Sequence, residues 1–275
     1  MAGQNKGKNN LNIITWNCEG LHSKEEQLSG SLIPLFNPVA ILLQDTRLTK
    51  ERQTDFNFEG YTPYFKSIDS RASGVAIFVK NSIPQSEIEI STNLQAVAVR
   101  TTINGKKYVL TSVYVPPSTK PSLKDFDHFV SKLGTSYILN GDFNAHSPLW
   151  KSNRICHIGK IIEKLMETRH IIPLNTTVNT FWSRAHNTFS LIDLTLAHPN
   201  IAMDFKVKVL GDLHTSDHYP IVLSLVRDEY DFERRPQFNF KKADWGKLIK
   251  QCKEEINTLI TRTWEIFLTI YSGFQ

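Results

Sequence analysis

The sequence predicts an α+β fold of stacked sheets flanked by helices, and three observations support this prediction. Strand-like runs rich in Val, Ile, Leu, Thr and Tyr recur along the chain as far as residue 226. Several of these runs are apolar at successive positions, whose side chains point to opposite faces of a strand. This indicates that both faces of the sheets are covered. Hairpin signals and scattered helical patterns, rather than a regular strand–helix alternation, favour the α+β class.

The strands are predicted from short apolar runs bounded by turn residues. The runs cover residues 11–16, 39–44, 74–80, 95–102, 107–115, 136–140, 191–197, 205–210 and 221–226. Asn104-Gly105 lies between two of them and is a strong signal for a tight hairpin. Asn140-Gly141 is the same dipeptide, but the segment "FNAHSPLW" that follows shows no returning strand. We therefore expect no tight hairpin at the second position.

Helical patterns are fewer than strand patterns. Residues 24–36 are weakly amphipathic, and residues 159–170 place apolar side chains at helical spacing. Residues 122–134 begin with Ser122, a residue that caps helices, and end at Gly134. These segments are the predicted helices.

Composition predicts three regions along the chain. Residues 1–10 are polar and are expected to form a disordered tail, whereas residues 11–227 are expected to form one domain. Residues 228–275 begin as a charged linker and continue as a helical fragment. The apolar residues at the end of the chain are typical of a fragment of something longer.

Composition and charge limit the class of protein. The chain has 275 residues, of which 40% are hydrophobic and 21% charged, as in soluble globular proteins. A net charge of +5 mildly favours polyanionic partners. The three cysteines show no disulfide or metal-binding spacing, which favours an intracellular compartment. No segment has the ~20 apolar residues of a membrane span or the features of a secretory signal.

Polar side chains collect at the ends of the predicted strands. Each of them alone is better explained as a turn residue, a helix cap or a solvated loop residue. Together, their hard oxygen atoms are ligands that select Mg²⁺, Mn²⁺ or Ca²⁺ over zinc. The set comprises Asn17, Asp45, Tyr114, Asp142, Asn144, Asp193, Asp217 and His218.

A histidine beside a carboxylate and such a metal suits the hydrolysis of phosphate esters. The metal neutralises phosphate charge and helps to deprotonate water. A protonated histidine stabilises developing charge, and a carboxylate behind it fixes its tautomer. His214 and His218 have the spacing of a zinc pair on a helix, but the segment "LHTSDHYP" is typical of a loop. We therefore reject a zinc site.

The order of the motifs resembles the endonuclease/exonuclease/phosphatase superfamily, which includes DNase I and the AP endonucleases. The motifs are "TWNCEG", "LLQDTR", "VYVPP", "LNGDFNAH", "LIDLTL" and "TSDHYP", and the resemblance covers residues 11–226. The segments "DFNAHSPLWKSN" and "TFWSRAHNTFSLIDLTLAHP" are similar to the endonuclease domain of insect-type non-LTR retrotransposons. The resemblance implies a DNase I-like four-layer α/β sandwich, with two stacked, mostly antiparallel sheets flanked by helices.

The resemblance also implies a metal site at one rim of the sheets. Asp45 would be the direct ligand of Mg²⁺, or of Mn²⁺, with Asn17 beside the metal. Asp217 would support either the metal or His218. Superfamily members normally have Glu at the position of Asp45, so the carboxylate here is one methylene shorter.

Other residues would act on the phosphate and the water. Asp142 would position or deprotonate the attacking water, and Asn144 would hold water or phosphate beside it. Tyr114 would contact the scissile phosphate. His218, oriented by Asp193, would stabilise the phosphorus centre or act as the base. The choice of base between Asp142 and His218 stays open.

These implications predict a DNA endonuclease that nicks one strand and leaves a 3′-hydroxyl. Arg47 and Arg184 are expected to meet DNA phosphates. In such retrotransposons a reverse transcriptase follows in the same polypeptide, and it is expected to be absent from this chain. The alternatives are a weakened retroelement relic that folds and binds DNA, and a phosphatase or RNase of the same fold. A DNA substrate is compatible with the nucleus.

Aromatic and imidazole side chains are candidates for stacking on bases. His22, His146, Trp150 and Trp182 are candidates of this kind. The two tryptophans are equally well explained as core residues, and we favour this explanation for Trp182.

Overall fold

The computed structural model describes residues 11–53, 56–66, 73–226, 244–247 and 249–258. The chain divides into two compact units, Met1–Arg227 and Asp228–Gln275. In the second unit, residues 245–247 and 249–258 are helical and exposed. The expectations for the N-terminal tail, for the linker up to residue 243 and for the apolar end lie outside the described residues. Within the described part of the chain, no helix has the length and apolar character that crossing a lipid bilayer requires.

The first unit is built mainly from strands. They are β1 (Asn12–Asn17), β2 (Ala40–Gln44), β3 (Tyr61–Lys66), β4 (Val75–Lys80), β5 (Gln85–Glu87), β6 (Gln95–Ile103), β7 (Lys106–Tyr114), β8 (Tyr137–Asp142), β9 (Ile172–Pro173), β10 (Phe181–Ser183), β11 (Thr188–Ser190), β12 (Asp193–Ala197), β13 (Phe205–Val209) and β14 (Ile221–Leu225). The α-helices are α1 (Glu25–Gln27), α2 (Ile33–Phe36), α3 (Lys50–Gln53), α4 (Leu123–Ser131), α5 (His157–Arg169) and α6 (Pro199–Ala202), and a π-helical turn (Leu28–Leu32) joins α1 to α2.

The strands form two six-stranded sheets and a small ribbon. The first sheet has the order β13-β14-β1-β2-β4-β3 and the second the order β5-β6-β7-β8-β12-β9. The ribbon consists of β10 and β11. Neighbouring strands are antiparallel except for the pairs β1–β2 and β7–β8, which are parallel. The predicted architecture of two stacked, mostly antiparallel sheets is confirmed.

Both faces of each sheet are buried, which explains the doubly apolar strands. On β1, Ile13 packs between the sheets with Leu110 of β7, while its neighbour Ile14 packs outward against Leu28. On the second sheet, Leu194 packs outward against the helices α4 and α5. Each buried Leu or Ile contributes about 1.5–3 kcal/mol. The result is the four-layer sandwich of helix, sheet, sheet and helix.

The predicted helix starts agree with the structure where a capping residue is present. At α4, the Oγ of Ser122 accepts a hydrogen bond from the backbone N–H of Asp125 at 3.4 Å. The Asp125 carboxylate in turn accepts one from the Ser122 backbone at 2.7 Å. This reciprocal capping satisfies N–H groups that the first turn leaves unpaired. The helix predicted at residues 24–36 is divided by the π-helical turn.

Asn140-Gly141 lies inside β8 rather than in a turn. A Cβ atom on Gly141 would lie 1.8 Å from the carbonyl oxygen of Val113 on the neighbouring strand, and the Gly141 φ angle is 151°. Glycine is therefore required for the close approach of β7 and β8. Because β8 continues to Asp142, that side chain lies at the end of the strand.

Strand pairing brings the predicted site residues to one rim. The parallel pair β1–β2 places Asn17 beside Gln44, and the parallel pair β7–β8 places Tyr114 beside Asp142. The antiparallel pair β8–β12 places Asp193 opposite Asp142. Since carboxyl ends of parallel strands meet at the same edge, polar side chains from both sheets converge there.

Candidate active site

Asp142 is the centre of the hydrogen-bond network at this rim. It is 1% exposed, and its Oδ2 accepts hydrogen bonds from the Nδ2 of Asn17 at 2.9 Å and of Asn144 at 3.2 Å. Its Oδ1 accepts one from the backbone N–H of Asn144 at 2.9 Å. Burial and the nearby charge of Asp193 raise the pKa of Asp142 to about 7. The carboxyl group thus titrates close to neutral pH.

His218 is fixed between two carboxylates. Its Nδ1 lies 2.9 Å and 3.0 Å from the two oxygens of Asp193, and its Nε2 lies 3.8 Å from the Oδ2 of Asp142. Burial alone would lower the pKa of His218, but the charge of Asp193 and the hydrogen bond to it raise the pKa to about 9. The imidazole is therefore cationic at neutral pH, with Nε2 directed to the Asp142 side.

Three further side chains, none of them predicted from the sequence, hold the backbones of Asp193, Asn17 and His218 in place. The Oγ1 of Thr180 accepts a hydrogen bond from the backbone N–H of Asp193 at 3.1 Å. The Oγ of Ser216 donates to the carbonyl of Asn17 at 2.9 Å, and the indole N–H of Trp16 donates to the carbonyl of His218 at 2.8 Å. No local sequence signal reveals them, because each acts across a long sequence separation.

Asp45 lies just beyond β2 and offers one carboxylate oxygen to a ligand. Its Oδ2 accepts hydrogen bonds from the Nε of Arg47 at 3.1 Å and from a terminal guanidinium nitrogen at 2.8 Å. Its Oδ1 is buried and has no hydrogen-bond partner among the described residues. A buried oxygen of this kind is costly unless it is satisfied. The hard oxygen donors of Asp45, Asn17 and Asp217 therefore fit a divalent cation such as Mg²⁺.

Asp142, Asp193 and His218 form a second group whose ligand atoms lie within 4.8 Å of one another. This group suits proton chemistry better than metal binding. The Nδ1 of His218 is already held by Asp193, and the cationic imidazole has no lone pair to offer at Nε2. The oxygen donors on the Asp45 side of the rim suit a cation better than this group does.

Tyr114 and Asn144 line the approach to Asp142. Burial and the charges of Asp45 and Asp142 raise the pKa of Tyr114, so its phenol stays protonated and able to donate. Asn144 adopts a left-handed φ of 46°, and its Nδ2 also donates to the carbonyl of Val115 at 3.1 Å. Asp217 is half-buried, with its Oδ1 3.8 Å from the Nε2 of His218.

The two arginines chosen from the sequence occupy different environments. Arg47 is engaged with Asp45 and is 41% exposed in its side chain. Arg184 lies on the exposed turn between β10 and β11 and donates to the carbonyl of Thr215 at 3.2 Å. Its guanidinium is also 3.6 Å from the Glu19 carboxylate. Both remain near the rim, and neither touches Asp142.

The two tryptophans lie in different environments, and the expectation that Trp182 packs in the core was wrong. Trp150 is fully buried and donates to the carbonyl of Ala145 at 3.0 Å, so it is a core residue. Trp182, which was expected in the core, lies in the ribbon and stacks on the exposed Phe189 with ring centroids 6.5 Å apart. The sequence offers no signal for this, because the ribbon strands are too short to show an alternation.

Comparisons with known proteins agree with this fold. A family model described as "Endonuclease-reverse transcriptase" matches residues 108–222. The RNA-directed DNA polymerase from mobile element jockey of Drosophila funebris is 27% identical over 222 residues, which cover 78% of this chain and 24% of the relative. The probable RNA-directed DNA polymerase from transposon BS of Drosophila melanogaster is 25% identical, with 95% and 30% covered. The chain thus spans only a quarter to a third of these relatives.

Two solved structures share the fold. The endonuclease domain of TRAS1, a telomere-specific non-LTR retrotransposon, has a TM-score of 0.64 at 22% identity, and the match covers 78% of this chain and 98% of that domain. An AP endonuclease from Leishmania major has a TM-score of 0.65 at 16% identity, with 79% and 88% covered. In its motifs and its four-layer fold, the chain thus resembles proteins of the endonuclease/exonuclease/phosphatase superfamily, among them the endonuclease domains of non-LTR retrotransposons.

Proposed function

We propose that this chain is a divalent-cation-dependent endonuclease that hydrolyses DNA phosphodiester bonds, nicks one strand and leaves a 3′-hydroxyl. The observation that carries the proposal is the line of Asp193, His218 and Asp142, in which a clamped histidine faces a buried carboxylate. Such paired groups with pKa values shifted toward neutrality are typical of sites that transfer protons.

In this proposal Asp142 is the general base. Asn17 and the backbone and side chain of Asn144 fix its two oxygens, so the carboxylate has one orientation toward a water molecule at the rim. A carboxylate with a pKa of about 7 accepts a proton efficiently at neutral pH. A positioned base of this kind accelerates a reaction by typically ~10²–10⁴-fold.

His218 supplies positive charge to the reacting phosphate. Because Nδ1 is bound to Asp193, Nε2 is the nitrogen that donates to a phosphoryl oxygen as negative charge develops there. The proton stays on the imidazole throughout, which distinguishes this role from that of a base. Tyr114 and Asn144 would contact the same phosphate.

Asp45, Asn17 and Asp217 would hold Mg²⁺ or Mn²⁺. When bound, the cation neutralises phosphate charge and stabilises the leaving oxygen. The unpartnered Oδ1 of Asp45 supports this assignment. Arg47 and Arg184 would contact flanking DNA phosphates, and their charge makes the affinity for DNA dependent on salt.

The names of the relatives support a biological setting for the proposed activity. Their names describe RNA-directed DNA polymerases of mobile elements, of which this chain matches only a part. A nick with a 3′-hydroxyl would prime reverse transcription by such a polymerase at the target site, in the compartment that holds the DNA. The shorter Asp45 favours a second candidate, a relic that folds and binds DNA but cuts slowly.

Nicking of supercoiled plasmid tests the proposal. With Mg²⁺, the wild type should convert plasmid to open circles that DNA ligase reseals, as a 3′-hydroxyl and a 5′-phosphate require. Asp142→Ala and His218→Ala should each lose at least about 10²-fold in rate, whereas Lys132→Ala, an exposed change outside the site, should not. Equal slow cutting by all variants would point to the relic. Preference for RNA or a phosphomonoester would show another activity of the same fold.

A further inference from the structure

A cavity opens beside the loop that carries Asn144. Its volume is about 470 Å³, within the range of ligand-binding cavities. Its walls include Pro116 and Pro117 from the loop after β7, and Ile155 and Ile158 around the start of α5. Asn144 also donates to the carboxylate of Asp142, so the cavity adjoins the candidate active site.

A second cavity continues in the direction of the ribbon. Its volume is about 290 Å³, and it extends to the exposed Phe189 of β11. His146 and Arg154 line both cavities, so the two open on either side of this pair. We call the two cavities together the side groove. It runs from Asn144 past His146 and Arg154 to the ribbon.

His146 is held firmly at the junction of the two cavities. Its backbone N–H donates to the Sγ of Cys156 at 3.2 Å, and its carbonyl accepts from the backbone of Cys156 at 3.0 Å. A Cβ atom on Gly159 would lie 2.0 Å from the same carbonyl, so α5 packs directly against it. The ring Nδ1 lies 3.3 Å from the Oγ of Ser152, which leaves Nε2 for a ligand.

The side groove combines positive charge with apolar walls. Lys120 and Arg154 are its exposed cations at the larger cavity, and neither forms an ion pair with a carboxylate in the described part of the chain. Among the described residues, no Asp or Glu lines either cavity. Burial and the charge of Arg154 lower the pKa of His146, so its ring is neutral and can hydrogen-bond or stack. Phosphates suit the cations, and a planar base suits the proline and isoleucine walls.

We propose that the side groove binds the nucleotide of the DNA strand adjacent to the scissile phosphodiester. Arg154 and Lys120 contact its phosphates, His146 contacts the sugar or base, and the base packs against Pro116 and Pro117. This inference rests on the proposed endonuclease function, because it takes the strand to continue from Asp142 past Asn144. It adds a binding subsite to the catalytic residues already described.

Binding without cutting tests the subsite separately from the chemistry. The affinity of the full chain for a fluorescein-labelled DNA duplex is measured by anisotropy, without divalent cation and over a range of salt concentrations. Arg154→Ala should bind about ten-fold more weakly, and the slope of log affinity against log salt should fall by about 1. Arg100→Ala removes the same group from β6, which lines neither cavity, and should change neither quantity.

Methylphosphonate substitution locates the contact. On duplexes with one neutral linkage at successive positions around the mapped nick, the wild type should lose affinity at a flanking position where Arg154→Ala is insensitive. If the two proteins give the same profile, or bind RNA more tightly than DNA, the subsite is wrong even when the wild type nicks DNA. If binding depends on Arg154 but no nicking occurs, the catalytic proposal fails and the subsite stands. If DNA binding is absent but nicking with Mg²⁺ occurs, the subsite alone fails; if both are absent, both proposals fail.

Discussion

The guanidinium of Arg47 donates two hydrogen bonds to one oxygen of Asp45 and leaves the other oxygen buried without a partner among the described residues. Both residues have left-handed backbones, with φ angles of 48° and 54°. The backbone N–H groups of Thr46 and Arg47 donate to the carbonyls of Gly74 and Ser73. The carboxylate of Asp45 is therefore held in one orientation by the backbone hydrogen bonds of its loop and by the two N–H donors of Arg47.

We expect Asp45→Glu to lower the rate of nicking. The added methylene displaces the carboxylate on the ångström scale in a site that is 4% exposed, and such displacements cost up to ~10²-fold. Two quantities are measured: the rate of nicking, and the affinity for Mn²⁺ as determined by electron paramagnetic resonance. Asp127→Glu alters another Asp–Arg pair, that with Arg169, and serves as the control. A rate gain in Asp45→Glu would show instead that the aspartate is a lesion.

We expect Asp193→Asn to slow nicking by about 10²–10⁴-fold. The amide removes the negative charge that keeps His218 cationic, so the pKa of His218 falls. In the wild type, activity should rise through pH 7 as Asp142 loses its proton and decline through pH 9 as His218 loses its own. In the variant, the decline in activity at high pH should occur at a lower pH than in the wild type. If the decline occurs at the same pH in both proteins, Asp193 does not act through His218.

The same pair makes stability depend on pH. The pKa of His218 is raised in the folded protein from 6.5 to about 9, so its contribution is fully present below pH 6.5 and lost as the pH rises through 9. Between these limits the wild type should lose about 2–3 kcal/mol more than Asp193→Asn. Urea unfolding at pH 6.5 and pH 9 measures the difference. Asp204→Asn, in which the carboxylate beside Tyr108 is changed, should behave as the wild type.

Gly141→Ala should destabilise the protein by about 3 kcal/mol, because the new methyl group meets the Val113 carbonyl at 1.8 Å. Relief requires β7 and β8 to separate, which also moves Asp142. Gly30→Ala is the matched control, since a Cβ there has nothing within 4 Å. Thermal unfolding and nicking should both report the loss in the first variant. Equal melting temperatures for the two variants would contradict the close approach.

The central strands could be predicted from the sequence because burial on both faces leaves continuous apolar runs. The edge strands β3, β5 and β9 could not, whereas β13, which also lies at an edge, was predicted. β3 contains Pro63 and lies at the edge of its sheet, and the ribbon strands are too short to show a period. Asn140-Gly141 is a dipeptide typical of a turn, but here the glycine is required by the close contact between β7 and β8.

The members of the site could be selected from their place at strand ends and from the order of their motifs. Their mutual geometry could not, because it depends on pairing between distant strands. Nothing local to Asp193 indicates that it lies opposite Asp142, or that Thr180 holds its backbone. The hydrogen bonds from Arg47 to Asp45 were likewise not predicted, because the sequence indicated only a DNA contact for Arg47.

Two of the hydrogen bonds described above join one sheet to the other. Asn17 of the first sheet donates to Asp142 of the second, and His218, just before β14 of the first sheet, is bound to Asp193 of the second. Sliding the sheets by even a single pleat would break both bonds together. The apolar layer between the sheets thus fixes the relative positions of the residues to which we assign the proposed reaction. Small shifts in its packing would lower turnover before they registered as lost stability.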